Sequence, residues 1–274
     1  ADVVGLQEIG PPELLAEVIG RVPAMQARQG LRGRAPYGET LVGTADARGI
    51  RCALISRLPL AHRHVHTAEA LPFPTFYTGD PPPFGARIPL RRGIVHGRVE
   101  AEGLGAVDVL VAHFKSSRPV PLRDARGGEL PPHGAKGRGE GAVRGMVWRA
   151  AEALFVRGLV DAVLGARGPE APIAVVGDLN DVPDSAPLRV VRGDGPEELV
   201  DCAARVDRQE RFSTLHDGRR MQIDHVLASR SLHARLRSAS FLNAELRQHD
   251  PVQPGSAAAP TVDSDHAPLV TCFG

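Results

Sequence analysis

The sequence predicts a layered α+β sandwich. Short apolar runs rich in β-branched residues predict at least six buried strands. Only two stretches have apolar residues at helical spacing. The strands outnumber the helices and do not alternate with them, which disfavours a doubly wound parallel sheet. Single α/β domains of 274 residues are common, so we predict one domain over residues 1–274.

The predicted strands cover residues 3–9, 52–55, 94–99, 107–112, 173–176 and 223–228. Helices are predicted over residues 12–22 and 140–164, and the second carries an apolar stripe that includes Val143, Val147 and Leu154. Residues 66–90 and 116–139 are rich in Pro, Gly and Arg, which predicts two long surface loops. Long loops in compact domains are often functional.

The composition excludes several classes of protein. No apolar run approaches the roughly 20 residues of a membrane-spanning helix, so we predict no transmembrane segment. The net charge of +1 argues against a uniformly basic nucleic-acid coat, but it leaves room for a local basic groove. Cys52, Cys202 and Cys272 are too far apart for a small disulfide framework or a paired-cysteine zinc motif.

Five polar clusters lie at the ends of apolar runs, where a strand leaves the core and can present side chains to a cleft. They are Gln7-Glu8, His113-Phe114-Lys115-Ser116, Gly177-Asp178-Leu179-Asn180-Asp181, Gln222-Ile223-Asp224-His225 and Ser264-Asp265-His266. The carboxylates of Glu8, Asp178, Asp224 and Asp265 and the amide of Asn180 form an oxygen-rich set. Such a set suits Mg²⁺ or Mn²⁺ and suggests phosphate chemistry.

In this order, the clusters resemble the motifs of the endonuclease/exonuclease/phosphatase superfamily, which includes deoxyribonuclease I and exonuclease III. Residues 2–9 are similar to its "aDvvgLQE" strand, 111–116 to "HlKS", 177–181 to "GDfND", 223–229 to "IDhil.S" and 264–269 to "SDHapl". The resemblance spans residues 1–273. It implies a four-layer α/β/β/α sandwich of two mostly antiparallel sheets.

The resemblance also implies a role for each matching residue. Glu8 would be the principal metal ligand, and Asp265 would lie near the metal and orient His266, the general base. Asp178 and Asn180 would position the attacking water and a non-bridging oxygen. His113 would donate a hydrogen bond to the phosphate, and Asp224 would support the second histidine or the phosphate pocket. Arg92 matches a substrate-binding arginine, with Arg91 as an alternative.

The sequence departs from the family at its start. Members begin with a strand that carries a metal- or phosphate-binding Asn, followed by a helix that leads into "aDvvgLQE". Neither is present before Asp2, so we expect the first strand of the sandwich to be missing. Localisation, cytoplasmic or secreted, is left open.

The predicted function is divalent-metal-dependent phosphodiester hydrolysis by a monomer, with nucleic acid as the substrate. Residues 113–157 contain nine basic and four acidic residues, an excess that could contact a phosphate backbone or belong to a solvated loop. Phe73, Phe76, Tyr77 and Phe84 could stack on bases, pack the loop or touch a membrane.

Three alternatives remain open. The first is a phosphomonoesterase or a sphingomyelinase-like phospholipid hydrolase on the same fold, and the second is an inactive binding module that retains the fold. The third, a two-metal metallophosphoesterase, is disfavoured because the sequence lacks the upstream Asp-x-His and the Gly-Asn-His-Asp/Glu motifs.

Overall fold

The computed structural model describes residues 1–31, 33–79, 81, 87–216, 218–246 and 264–274. Its strands are β1 (Val3–Ile9), β2 (Glu39–Val42), β3 (Arg51–Ser56), β4 (Leu60–His66), β5 (Ile94–Ala101), β6 (Gly105–His113), β7 (Leu122–Arg123), β8 (Glu129–Leu130), β9 (Ile173–Asp178), β10 (Leu199–Asp201), β11 (Thr214–His216), β12 (Arg219–Met221), β13 (Asp224–Ser229), β14 (Leu236–Phe241) and β15 (Leu269–Phe273). The helices are α1 (Pro12–Arg28), α2 (Gly134–Arg167), α3 (Ala186–Arg192) and α4 (Arg230–His233), with short 3₁₀ helices at Gly195–Glu197 and Cys202–Arg205.

Two layers of β-sheet form the centre of the molecule. The larger sheet has the order β10-β13-β9-β6-β5-β4, and all of its pairs are antiparallel except β6 with β9. The second layer consists of the three-stranded sheet β1-β3-β2 and the two-stranded antiparallel sheet β14-β15. Both pieces contribute apolar side chains to one core with the central sheet, including Leu54, Val111 and Leu236.

Helices cover the outer faces of the two layers. On one side, α2 and α3 pack on the central sheet through residues such as Val156, Leu188 and Leu110. On the other side, Leu15 and Ile19 of α1 pack on the three-stranded sheet. The observed order of layers confirms the predicted α/β/β/α sandwich.

The two sheets approach each other closely at Gly5 of β1. A Cβ at this position would lie 2.6 Å from a methyl carbon of Val176 and 3.3 Å from one of Val111. Because glycine has no Cβ, β1 can lie directly over β6 and β9. This contact places the end of β1 over the ends of β6 and β9, the two strands that lead to the candidate site.

All six predicted strands are present, but both predicted helices are longer than expected. The first continues past Pro23 to Arg28, since a proline removes one N–H donor and need not end a surface helix. The second begins at Gly134, inside the predicted loop 116–139, where Val120 N donates a hydrogen bond to Gly141 O (2.9 Å) and ties the loop to the helix. The same loop contains the small β7-β8 hairpin.

The other predicted loop, 66–90, has no regular helix or strand in its described part beyond the end of β4. Phe76 and Tyr77 are exposed there, and Phe84 lies outside the described residues. Over the described ranges, none of the helices combines the length and the hydropathy needed to cross a membrane.

Candidate active site

Three neighbouring strands of the central sheet end side by side and present polar residues. His113 of β6 lies opposite Asp178 of β9, and Asp178 lies opposite Asp224 of β13. Residues opposite one another on adjacent strands project to the same face of a sheet. His113 Nε2 accordingly lies 3.4 Å from Asp178 Oδ2. The register of the sheet therefore places residues from distant parts of the sequence in one row.

Gly177 allows β9 to pass close to β6 immediately before Asp178. Its φ is 140°, and a Cβ built on it would lie 2.0 Å from Ala112 O. No other residue fits this backbone position without moving one of the two strands. The glycine of the Gly177-Asp178 pair is thus required by packing, and it helps to fix Asp178 beside His113.

The C-terminal segment brings His266 to the same row. Thr214 and His266 form an isolated β-bridge, and Ala267 N donates to Ser213 O at 2.7 Å. His266 Nδ1 lies 2.7 Å from Asp224 Oδ2. Asp224 is therefore a hydrogen-bond partner that orients this imidazole. The expected role of Asp265 in orienting the same ring stays a prediction.

The carboxylates concentrate negative charge in this pocket. Burial, and then the charge of Asp224, raise the pKa of Asp178 to about 7. Burial of the His266 ring acts to lower its pKa, but the hydrogen bond and charge of Asp224 outweigh that effect and raise the pKa to about 9. The charges of Asp178 and Asp265 act in the same direction. Both shifts indicate a pocket that a positive charge would stabilise.

The residues of this pocket fit a divalent cation. One ligand atom from each of Asp178, Asp224 and His266 can be chosen so that all lie within 4.8 Å of one another. Two of the three are carboxylates, the donors that Mg²⁺ and Mn²⁺ prefer. This group, found among the described residues, does not include Glu8 or Asp265. The metal-ligand role of those two residues stays a prediction.

Glu8 lies at the end of β1, close to the end of β9. The side chain of the preceding Gln7 reaches Gly177, because its Nε2 lies 3.2 Å from the position of a Cβ built on that glycine. Glu8 itself is exposed and has a φ of 55°, a left-handed conformation that costs a residue of this type on the order of 1 kcal/mol or more. Such strain is concentrated at functional sites, and it supports the predicted role of Glu8.

Asn180 is fixed to Asp178 by its backbone and its side chain. The Asn180 N–H donates to Asp178 Oδ1 at 2.9 Å, and Asn180 Nδ2 donates to Asp178 Oδ2 at 2.8 Å and to Phe114 O at 3.1 Å. Its φ of 54° is one that asparagine adopts more readily than most residues. The two residues thus form one rigid polar unit at the end of β9.

His113 is buried and is held in its neutral form. Burial, followed by the positive charges of Arg92 and Arg48, lowers the pKa of His113 to about 3. A neutral imidazole carries one N–H, which it can donate to a phosphate oxygen. The role of His113 as this donor stays a prediction.

Arg92 supports the end of β6 from inside the protein. Its Nε donates to His113 O at 3.1 Å and its Nη2 to Phe114 O at 2.8 Å, while its Nη1 lies 3.6 Å from Asp46 Oδ2. Its side chain is 4% exposed. These contacts make Arg92 a positioning residue, and its direct contact with substrate stays a prediction. The alternative candidate, Arg91, stacks over the Trp148 ring at 4.1 Å.

Sequence reasoning missed two acidic residues that support the site. Asp46, in the loop between β2 and β3, accepts hydrogen bonds from the backbone N–H groups of Arg48 (2.8 Å) and Ile50 (3.2 Å) and lies near Arg92. Glu152 of α2 accepts the backbone N–H of Lys115 at 2.6 Å. A glutamate within the apolar part of a helix was a signal for Glu152, whereas the sequence around Asp46 has no comparable signal.

Glu152 is expected to destabilise the fold as the pH rises, since burial raises its pKa to about 7 from an ordinary value of 4.5. Between these values the folded chain keeps a proton that the unfolded chain has released, so stability falls with increasing pH and stays low above pH 7. Glu152→Gln keeps a carbonyl oxygen for Lys115 N and has no charge. We expect it to be more stable than the parent by roughly 2–3 kcal/mol at pH 8 and by less at pH 5.

Urea unfolding of both proteins at the two pH values measures this difference. Glu129→Gln, which changes an exposed glutamate on β8, serves as the matched control and should change stability little at either pH. A change in stability of Glu152→Gln that is equal at the two pH values, whether a gain or a loss, would contradict the assignment of a raised pKa.

The four-layer sandwich and the row of carboxylates and histidines at one end of its sheets define the class of deoxyribonuclease I-like phosphoesterases. The family comparison agrees: residues 1–266 match the endonuclease/exonuclease/phosphatase family, and the chain belongs to this family. Its enzymes hydrolyse phosphoester bonds with a divalent cation. No curated protein sequence matches the chain significantly.

Solved structures with the same fold cover nearly the whole chain. A truncated TDP2 of Caenorhabditis elegans has a TM-score of 0.57 and 16% identity over 100% of this chain and 84% of that chain. The 3′ phosphatase NExo of Neisseria, bound to a product DNA hairpin, has a TM-score of 0.55 and 17% identity over 100% and 89%. An AP endonuclease of Archaeoglobus fulgidus has a TM-score of 0.54 and 14% identity over 99% and 88%. At these identities the likeness shows the fold alone.

Proposed function

We propose that the chain is a phosphodiester hydrolase that cleaves nucleic acid with Mg²⁺ or Mn²⁺. The observation that carries the proposal is the convergence of Asp178, Asp224 and His266, whose ligand atoms lie within 4.8 Å of one another beside the neutral His113. Attack of water on a phosphodiester needs a proton acceptor and positive charge near the phosphoryl oxygens. His266 can accept the proton, and the carboxylates of Asp178 and Asp224 can hold the cation.

In the proposed mechanism, neutral His266 accepts the proton of the attacking water. Asp224 fixes the tautomer, because the carboxylate accepts the Nδ1–H and leaves Nε2 to act as the base. A cation on the neighbouring carboxylates would offset the charges that raise the His266 pKa to about 9, and would so favour the neutral ring. Asp178 and Asn180 orient the water and a non-bridging oxygen, and His113 donates to the phosphate. A divalent cation on the carboxylates, with Glu8 and Asp265 as further candidate ligands, would supply charge neutralisation of the phosphate and the leaving oxygen.

Exposed cations in the loop after β6 and in the first turns of α2 favour a nucleic-acid substrate. The loop that follows Lys115 carries the exposed residues Arg118, Arg123 and Arg126, and Lys136 and Arg138 lie in the first turns of α2. Of these, Arg123 pairs with Glu129 at 2.8 Å and Lys136 with Glu140 at 3.2 Å. Other members of the basic excess are structural, since Arg149 binds Asp181 at 3.0 Å and Arg157 pairs with Asp161. Phosphate contacts by exposed arginines supply affinity without sequence readout. A similar fold has been solved with a product DNA hairpin.

A substrate panel with Mg²⁺ or Mn²⁺ tests the proposal: plasmid DNA, single-stranded DNA, RNA, an inositol phosphate, sphingomyelin and an aryl phosphate monoester. We expect the parent chain to cleave nucleic acid. In the double variant Arg118→Ala/Arg126→Ala we expect a higher KM for nucleic acid with little change in kcat. Cleavage of the lipid or the monoester alone would overturn the substrate assignment in favour of the alternative hydrolases. Binding of DNA without turnover of any substrate would indicate an inactive binding module.

A further inference from the structure

Four histidines form a cluster on the central sheet that the proposed reaction does not use. His62, His64 and His66 alternate along β4 and therefore project to one face, and His64 lies opposite His96 of β5. We call these four residues the histidine cluster. The ring centroids of His62 and His96 are 4.8 Å apart, and those of His64 and His66 are 4.3 Å apart.

The histidine cluster and the candidate active site are on opposite faces of the sheet. His96 contacts Asp108 of β6, which alternates with Leu110 and Ala112, and those two side chains pack against α2. His113 instead shares the face of Val111, which packs in the core between the two sheets. Substitutions in the histidine cluster can therefore be made without touching the residues of the phosphoesterase site.

Two of the imidazoles already have the separation of ligands to one metal ion. His66 Nε2 lies 3.2 Å from His96 Nδ1. Two nitrogens bound to one tetrahedral Zn²⁺, with bonds of about 2.0–2.1 Å, are about 3.3 Å apart. The same two nitrogens form a hydrogen bond when no ion lies between them, so the separation alone does not distinguish the two arrangements.

A buried carboxylate orients His96 in the manner of a metal ligand. His96 Nε2 lies 2.7 Å from Asp108 Oδ1, and Asp108 is fully buried. Asp108 also binds Arg98 Nε at 3.1 Å and the guanidinium of Arg167, which keeps it ionised and fixed. An ionised carboxylate accepts the Nε2–H, so the lone pair of His96 is on Nδ1 and is directed at His66. Metal-binding histidines usually donate their second N–H to a carboxylate or carbonyl in this way.

Among the described residues of the histidine cluster, only His66 Nε2 and His96 Nδ1 lie at ligand separation, so a third imidazole must turn toward them to complete a coordination shell. His64 is exposed and His62 and His66 are half-buried at the edge of the sheet, where side chains change rotamer within nanoseconds. A shell of neutral nitrogens suits Zn²⁺, Ni²⁺ or Cu²⁺ better than Mg²⁺.

We propose that the histidine cluster is a second metal site, in which His66 Nε2, His96 Nδ1 and a nitrogen of His62 or His64 bind a transition-metal dication such as Zn²⁺. This site is independent of the phosphoesterase site in position, in ligand type and in the cation it selects.

Zinc binding to the 274-residue chain, measured by equilibrium dialysis in excess Mg²⁺, tests the proposal. We expect one equivalent of Zn²⁺ that persists in Asp224→Asn and whose affinity falls about 100-fold or more in His66→Gln. Asp108→Asn should weaken it by about 10- to 100-fold, as loss of an orienting carboxylate does. His133→Gln, which changes an exposed histidine before α2, is the matched control and should bind as the parent does.

Two further measurements keep the result interpretable. Unfolding midpoints of the variants separate loss of a ligand from loss of the fold, and the double variant His62→Gln/His64→Gln replaces His66→Gln if that variant does not fold. The absorption spectrum of the Co²⁺-loaded chain reports nitrogen coordination, and it should change in the cluster variants and not in Asp224→Asn. Zinc binding that is unchanged in the cluster variants, or that is lost entirely in Asp224→Asn, would overturn the proposal.

Discussion

Chelation of divalent cations with EDTA is expected to lower hydrolysis of the preferred phosphodiester by at least about 10³-fold. The pocket of Asp178, Asp224 and His266 concentrates negative charge, and a phosphodiester that enters it is negative as well. Without a cation this repulsion is uncompensated, and the several kcal/mol of transition-state stabilisation that a metal ion supplies are lost. The initial rate before chelation, after chelation and after addition of excess Mg²⁺ or Mn²⁺ measures the effect.

The control for this experiment is a measurement of folding in the presence of EDTA. Circular dichroism and the unfolding midpoint should show that the chelated chain remains folded, so that the loss of activity reflects the site alone. Hydrolysis that continues undiminished in EDTA would show that the carboxylates do not act through a cation.

Replacement of His266 by Ala should reduce kcat by about 10²-fold or more, since a positioned general base contributes on this scale. The fold should tolerate the change, because the His266 side chain is 29% exposed. The matched control is His233→Ala, which removes a histidine of α4, at the opposite end of β13 from Asp224. That control is expected to leave kcat unchanged.

The coupling between His266 and Asp224 provides a second readout. If Asp224 acts by orienting the imidazole, Asp224→Asn should cost much less in the His266→Ala background than in the parent, because residues that act as a unit are strongly non-additive. Turnover of His266→Ala near that of the parent, or fully additive losses in the double variant, would exclude the proposed pair.

The buried strands could be predicted from the sequence because β3, β6, β9 and β13 contain short continuous apolar runs, and β5 has apolar β-branched residues on either side of His96, Gly97 and Arg98. The edge strand β4 could not, since His62, Arg63, His64 and His66 interrupt any apolar pattern. Strands β14 and β15 could not be predicted for a related reason: β14 is buried only at its two ends, and the side chains of β15 alternate between exposed and partly buried positions. The full lengths of α1 and α2 could not be predicted, because a proline in α1 and several glycines in α2 disfavour a helix and packing outweighs this preference.

For the site, the sequence motifs predicted the residues that converge but not their pairing. Asp178, Asn180, Asp224 and His266 lie together, as their positions at the ends of apolar runs suggested. The contact between Asp224 and His266 depends on how the C-terminal segment lies against β11, and no local pattern contains that information. The inward direction of Arg92 likewise depends on two carbonyl groups that no pattern in the sequence identifies.

The alignment of β6, β9 and β13 has a consequence for how this protein can vary. Side chains along a strand alternate between faces, so a slip of one residue between β9 and its neighbours would turn Asp178 toward the helices. An insertion or deletion of a single residue inside one of these strands would thus abolish hydrolytic activity even where the core still packs. Length changes between natural or designed variants should therefore accumulate in the connecting loops.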